Sequence, residues 1–161
     1  MLGKWTSLLT DAVVRTCSDL KLTAVAKGNK NPVLPVSRSE YLSLDAVAFK
    51  TAEQRWKFPY AVFELENSSS DDLIAYSLWK ILCIRAPLRF LFCYRQSSEF
   101  GSSLVRKLSL EILSALSIGE RESLHGETAV VIGGRSSSET FPYGYFRWWI
   151  LEKNTGAFRL L

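Results

Sequence analysis

The sequence has little of what most catalytic sites use: it contains one histidine and three cysteines. A Ser-His-Asp or Cys-His site would require His125, whose serine, leucine and glycine neighbours give no support for that role, so we expect a surface histidine. Cys17, Cys83 and Cys93 are far apart and lie in apolar segments. This spacing favours buried free thiols in a reducing compartment over disulfide bonds or a zinc site.

Long apolar runs are also missing. No uninterrupted run approaches the roughly 18 residues that a membrane-spanning helix needs, and Asp11 and Arg15 come too early in the chain for a signal peptide. We therefore expect a cytoplasmic protein with no membrane partner.

The size and composition are those of one folded unit. At 161 residues, with 47% hydrophobic and 22% charged residues, we expect a single domain, 1–161, that buries its own core. The net charge of +4 is compatible with a polyanionic partner but does not require one.

Acidic residues interrupt two of the apolar stretches. In Tyr60–Asn67, a predicted strand, Glu64 and Glu66 share one face because successive side chains alternate. Upstream, Asp45 lies within the apolar stretch Tyr41–Phe49, although aspartate is depleted in strand interiors. If the two stretches pair as a hairpin, three carboxylates converge at one point of a sheet, and such hard oxygen ligands suit Mg²⁺ or Mn²⁺. The alternative is a solvent-facing strand whose glutamates form surface ion pairs.

The remaining elements alternate between helices and strands. Apolar residues at helical spacing predict a helix from about residue 4 to residue 26, a largely buried helix from Asp71 to about Ile84, and an amphipathic helix that ends at Gly119. In the second of these helices, Asp72, Tyr76 and Lys80 lie on one polar line. The other predicted strands are Leu88–Tyr94, Thr128–Ile132, and a final hairpin of Tyr145–Glu152 and Ala157–Leu161.

With its acids on adjoining strands, this element order resembles the PD-(D/E)xK nuclease superfamily over roughly residues 5–132. The resemblance implies an α/β fold with a central mixed β-sheet flanked by helices, a restriction endonuclease-like αβββαβ core, and here a C-terminal β-hairpin. Asp45 matches the first acid of the motif and Glu64 the second. Glu66 stands where the motif lysine usually lies, and Leu44 replaces its proline.

The resemblance implies Mg²⁺- or Mn²⁺-dependent hydrolysis of DNA phosphodiester bonds. Asp45, Glu64 and Glu66 would hold the metal, and Lys80 would take the place of the motif lysine, which in some members lies on the following helix. The competing interpretation is a catalytically inactive module of the same fold that binds nucleic acid or a protein. The missing motif lysine favours it, as does an aromatic C-terminal region that would cap the sheet or form a homodimer interface, namely Phe141, Tyr143, Tyr145, Phe146, Trp148 and Trp149.

Overall fold

A computed structural model describes residues 2–141 and 143–161 of the chain. Four α-helices and seven β-strands are assigned within these residues, with single 3₁₀ segments at Leu113–Ala115 and Arg135–Thr140. The elements, in chain order, are α1 Leu2–Asp19, β1 Leu22–Ala26, β2 Ala46–Lys50, β3 Ala61–Leu65, α2 Asp71–Leu82, β4 Leu88–Arg95, α3 Ser98–Glu111, α4 Ile118–Glu122, β5 Glu127–Gly134, β6 Phe146–Glu152 and β7 Ala157–Leu160.

The strands form one mixed sheet in which their spatial order follows the chain order. β1, β2 and β3 are joined by antiparallel pairings, β3, β4 and β5 run parallel, and β6 and β7 return antiparallel. The parallel pairs require crossovers, which α2 supplies between β3 and β4 and α3 between β4 and β5. The expected mixed sheet flanked by helices and the final hairpin are confirmed.

The helices cover the two faces of the sheet unequally. α1 packs against β1, β2 and β3, over a floor of alanines that lets the helix come close to the strands, namely Ala24, Ala26, Ala46, Ala48 and Ala61. The alternate residues of the same strands, such as Val47 and Val62, face the other way and pack with residues of α2 and α3. The side of β3 that carries Glu64 is therefore the side covered by α2.

The N-terminal prediction was wrong at its second half. The helix expected to reach residue 26 ends at Asp19, and residues 22–26 form strand β1. Lys21 has a left-handed backbone (φ 60°), which ends the helix although no glycine or proline marks the turn. The small apolar residues that follow suit a strand buried on the α1 face as well as they suit a helix.

Two further expectations need correction. Gly119 does not end a helix: α3 ends at Glu111, and Gly119 lies inside the short helix α4, whose N-cap Ser117 forms a capping box with Glu120. Cys83 is exposed, whereas Cys17 and Cys93 are buried as expected, and all three are free thiols. Cys83 is the C-cap residue of α2, and its neighbours Leu82 and Ile84 are the residues that pack against the core there.

A buried arginine closes the C-terminal end of α2. Arg89 of β4 is only 3% exposed and donates hydrogen bonds to the carbonyl oxygens of Ile81 (3.1 Å), Ile84 (3.0 and 3.2 Å) and His125 (2.8 Å). The last carbonyls of a helix have no partner within it, so a guanidinium there satisfies them and complements the helix dipole. This contact fixes α2, the helix that carries Lys80, against the sheet.

Across the described residues, none of the helices is both long and apolar enough to cross a membrane.

Candidate functional site

Asp45 and Glu64 lie opposite one another on the antiparallel pair β2–β3. Ala46 is paired with Phe63, so the preceding position on one strand faces the following position on the other, which are Asp45 and Glu64. Directly opposed residues have Cβ atoms about 5 Å apart and share one face. A backbone contact holds the arrangement: the Leu65 N–H donates to Asp45 Oδ2 at 2.7 Å.

The chain reaches Asp45 through a tight turn rather than along a strand. Leu42 and Ser43 both have left-handed backbones (φ 59° and 53°), so β2 begins at Ala46 and not at Tyr41 as the apolar stretch suggested. The turn is anchored by the buried side chains of Tyr41 and Leu44. The Tyr41 hydroxyl also donates to the Val36 carbonyl at 2.8 Å.

Lys80 of α2 contacts both sides of the site. Its Nζ lies 2.8 Å from Glu64 Oε1 and donates to the Ser43 carbonyl at 2.9 Å. The ammonium therefore bridges the strand that carries Glu64 and the turn that precedes Asp45. The lysine is placed by the polar line on α2, in which Tyr76 and Lys80 are one turn apart.

Glu66 has different partners. Its Oε1 accepts from the Ser68 N–H at 2.7 Å and its Oε2 from Ser77 Oγ of α2 at 3.4 Å. In the part of the chain that the structure describes, no three acidic, histidine or cysteine side chains form a metal-binding group. The three carboxylates expected to converge thus separate into a pair, Asp45 and Glu64, and a neighbouring Glu66 held by hydrogen bonds of its own.

Burial dominates the electrostatics of the pair. It raises the pKa of Asp45, while the Leu65 N–H and Lys80 act to lower that pKa and Glu40 and Glu66 act to raise it. Burial likewise raises the pKa of Glu64, with Lys80 opposing the shift and the charge of Asp45 adding to it. The charge of Asp45 therefore raises the energy of the ionised form of Glu64.

One oxygen of the pair already faces a cation of the protein itself. Glu64 is 5% exposed, and its buried Oε1 lies 2.8 Å from the Lys80 ammonium, with which it forms an ion pair. A metal ion at this site would share the Glu64 carboxylate with Lys80.

The donor set fits a small hard divalent cation. Mg²⁺ in proteins is usually held by one or two carboxylates together with water and substrate phosphate oxygens, not by a complete cage of side chains. Asp45 and Glu64 provide two such carboxylates on one face, both with raised pKa values that a cation would lower.

Sequence reasoning missed three contributors to the site. The Leu65 N–H and the Ser43 carbonyl are backbone groups, and no residue type signals their positions. Ser77 had a weak signal, because it lies three residues before Lys80 and so on the same side of a helix, and it is one of the few polar residues that are buried there.

Part of the aromatic C-terminal region packs within the protein. Tyr145 stacks on Trp5 of α1 (ring centroids 6.1 Å apart), and Phe141 contacts the same ring edge-on at 5.7 Å. Tyr143 is 86% exposed and Trp148 39% exposed. Much of this region thus joins α1 to the far strands of the sheet.

No family model matches the chain, and comparisons with curated proteins and with solved structures also gave no match.

Proposed function

We propose that this protein is a Mg²⁺- or Mn²⁺-dependent nuclease that hydrolyses DNA phosphodiester bonds with Asp45, Glu64 and Lys80. The observation that carries the proposal is the placement of two carboxylates opposite each other, the partly buried Asp45 directly before β2 and the buried Glu64 on β3, with the Lys80 ammonium 2.8 Å from Glu64. Two acids and a lysine are the charged groups that this chemistry requires, and they come from three separate elements.

The element order supports the proposal. Helix α1, the antiparallel strands β1–β3, the crossover helix α2 and the parallel strand β4 follow one another in the αβββαβ order that the resemblance to the PD-(D/E)xK superfamily implies. Strand β1, which the sequence did not indicate, completes the run of three strands. This order supports our proposal that the chain has a restriction endonuclease-like core.

Each residue then has a distinct role. A cation bound by Asp45 and Glu64 would supply positive charge at the phosphate and lower the pKa of a bound water. Lys80, already fixed by Glu64 and Ser43, would orient the attacking water or neutralise charge on the pentavalent phosphate. Glu66 would hold the end of β3 near α2 through Ser77. Its negative charge would lie near the metal without binding it directly.

The proposal is tested by incubating supercoiled plasmid and single-stranded DNA with the protein and Mn²⁺ or Mg²⁺. We expect cutting that EDTA abolishes and that Asp45→Asn and Glu64→Gln each reduce by about 100-fold or more, in line with the loss of one key electrostatic group. Asp72→Asn is the matched control, because this acid is 91% exposed and lies at the start of α2. Equal cutting by the wild type, Asp45→Asn, Glu64→Gln and Asp72→Asn would overturn the proposal.

A second candidate is a catalytically inactive module of the same architecture. The observation that favours it is the ion pair itself, since Lys80 already neutralises Glu64 without any metal. In that case the acids position α2, and the protein binds DNA or a protein partner, including a second copy of itself through exposed members of the aromatic region such as Tyr143 and Trp148. A protein that binds DNA and never cuts it under the conditions above would favour this candidate.

A further inference from the structure

The connection between β2 and β3 exposes large aromatic side chains among cations. Trp56 is 62% exposed and Phe58 is 77% exposed, and they alternate with Arg55 and Lys57 along the chain. Large aromatic rings left in water at neighbouring positions are a common feature of binding surfaces.

Two more cations join this segment in space. The Arg85 guanidinium, from the loop after α2, lies 5.9 Å from the centre of the Phe58 ring, and the Lys50 ammonium lies 4.4 Å from the centre of the Tyr60 ring. Such contacts hold a cation beside an aromatic face. We call the six residues Lys50, Arg55, Trp56, Lys57, Phe58 and Arg85 the basic–aromatic patch.

The patch borders an open cavity and its charge is unbalanced. The cavity has a volume of about 340 Å³, and Lys50, Phe58, Tyr60 and Arg85 contribute to its lining. Within residues 2–141 and 143–161, none of the four cations of the patch forms an ion pair with an acid. The segment from residue 50 to residue 60 contains one acid, Glu53. The surface therefore suits an anionic ligand.

Aromatic rings interleaved with unpaired cations match one ligand class best. In single-stranded nucleic acid the bases are free to stack on aromatic side chains while the phosphates meet Lys and Arg. In a duplex the bases are already stacked on each other, so exposed rings of this kind have no base faces to contact. We propose that the basic–aromatic patch binds single-stranded nucleic acid. A role for this binding in delivering substrate rests on the proposed nuclease function.

The β2–β3 pair connects the patch to the candidate site. Lys50 and Tyr60 lie at one end of the two strands, and Asp45 and Glu64 lie at the other. Tyr60 and Glu64 are four positions apart along the chain, which is about 13 Å at roughly 3.3 Å per residue. The two ends of the β2–β3 pair are thus separated by a distance that a few nucleotides of a single-stranded nucleic acid would span.

The test measures binding without cleavage. A labelled single-stranded DNA of about 20 nucleotides, longer than the sites of typical single-strand binders, is titrated with protein in EDTA and followed by fluorescence anisotropy. We expect Trp56→Ala and Phe58→Ala each to raise the Kd roughly tenfold, and Lys57→Gln to raise the Kd and flatten its dependence on salt. The melting temperature should stay close to that of the wild type, because the substituted side chains are mainly exposed.

Matched controls come from other surfaces of the protein. Phe100→Ala removes an aromatic ring that is 59% exposed on α3, and Arg159→Gln removes a cation on β7, at the far edge of the sheet, where it pairs with Glu152. Both should bind the oligonucleotide as the wild type does.

Several results would overturn the inference. They are a Kd unchanged by the patch substitutions, a duplex bound as tightly as the single strand, preferential binding to vesicles that contain anionic lipid, or a dimer that Trp56→Ala converts to a monomer. The outcome is separable from that of the proposed function. If the patch binds single strands and Mn²⁺ elicits no cutting, the patch stands and the nuclease proposal fails. If cutting occurs and the patch variants bind and cut as the wild type does, the nuclease proposal stands and the patch proposal fails.

Discussion

Lys80 of α2 lies with its Nζ 2.8 Å from Oε1 of Glu64 on β3. Glu64 is the second acid of the motif-like stretch, and the position two residues later, where the PD-(D/E)xK pattern has lysine, is occupied by Glu66. Strand β3 has no lysine at this position, and helix α2 instead places Lys80 beside Glu64. That ion pair serves either catalysis or only the packing of α2 on the sheet, and the two roles predict different behaviour.

Replacing Lys80 distinguishes these roles. If the lysine acts on the phosphate or the water, Lys80→Ala should lower kcat by about 100- to 1000-fold, as removal of one transition-state electrostatic contact does, while the gain in stability on adding Mn²⁺ persists. The measurement is single-turnover cleavage beside thermal unfolding. Cutting at the wild-type rate by Lys80→Ala would show that the ion pair is structural.

Stability should depend on pH through the acidic pair. The pKa values of Asp45 and Glu64 are raised by burial in the folded state, so folding favours their protonated forms. Their contribution is fully present below the ordinary carboxyl pKa of about 4 and is lost as pH rises through the raised values. The free energy of unfolding of the metal-free wild type should therefore rise on mild acidification relative to an Asp45→Asn, Glu64→Gln double variant.

That comparison is made by urea denaturation of both proteins at matched pH. Subtracting the variant removes the contributions of other acids, including Asp71, where Lys107 and Arg95 outweigh burial and lower the pKa. A pH-independent difference would contradict the burial of the pair.

Arg89 provides a prediction about the scaffold. Arg89→Met should remove the side-chain donor to the carbonyls of Ile81, Ile84 and His125, lowering the free energy of unfolding by about 3 kcal/mol and the melting temperature by roughly 6–12 °C. Arg85→Met, which removes an exposed arginine nearby, should change stability by less than about 0.5 kcal/mol. Equal effects of the two substitutions in calorimetry would contradict the role assigned to Arg89.

Much of the fold follows from local patterns in the sequence. The α2 helix begins at Asp71 as predicted, with Ser70 as its N-cap, and the final hairpin and the interior strand β4 lie within a residue of their expected bounds. Strand β1 could not be found in this way, because Leu22–Ala26 continues the apolar spacing of α1. Its strand state depends on pairing with β2, a contact with residues about 25 positions later in the chain.

The candidate site was predictable in its residue types but not in its grouping. The acids stand out because apolar strands rarely contain them, and Lys80 because it lies on a polar line of an apolar helix. Which carboxylates meet depends on the turn at Leu42 and Ser43 and on Ser77, which holds Glu66. The basic–aromatic patch was hidden for a similar reason, since Arg85 reaches Phe58 only after the chain has passed through β3 and α2.

Metal-dependent stability tests for a cation site at Asp45 and Glu64 without any substrate. In metal-free buffer, Asp45→Asn should melt above the wild type, since it removes one of two opposed, largely desolvated charges and keeps an acceptor for the Leu65 N–H. Mg²⁺ or Mn²⁺ at ten times its Kd should stabilise the wild type by about 1.4 kcal/mol, roughly 3–6 °C in melting temperature, and should barely affect Asp45→Asn. If the two proteins give matching melting curves with and without metal, Asp45 and Glu64 do not form a cation site.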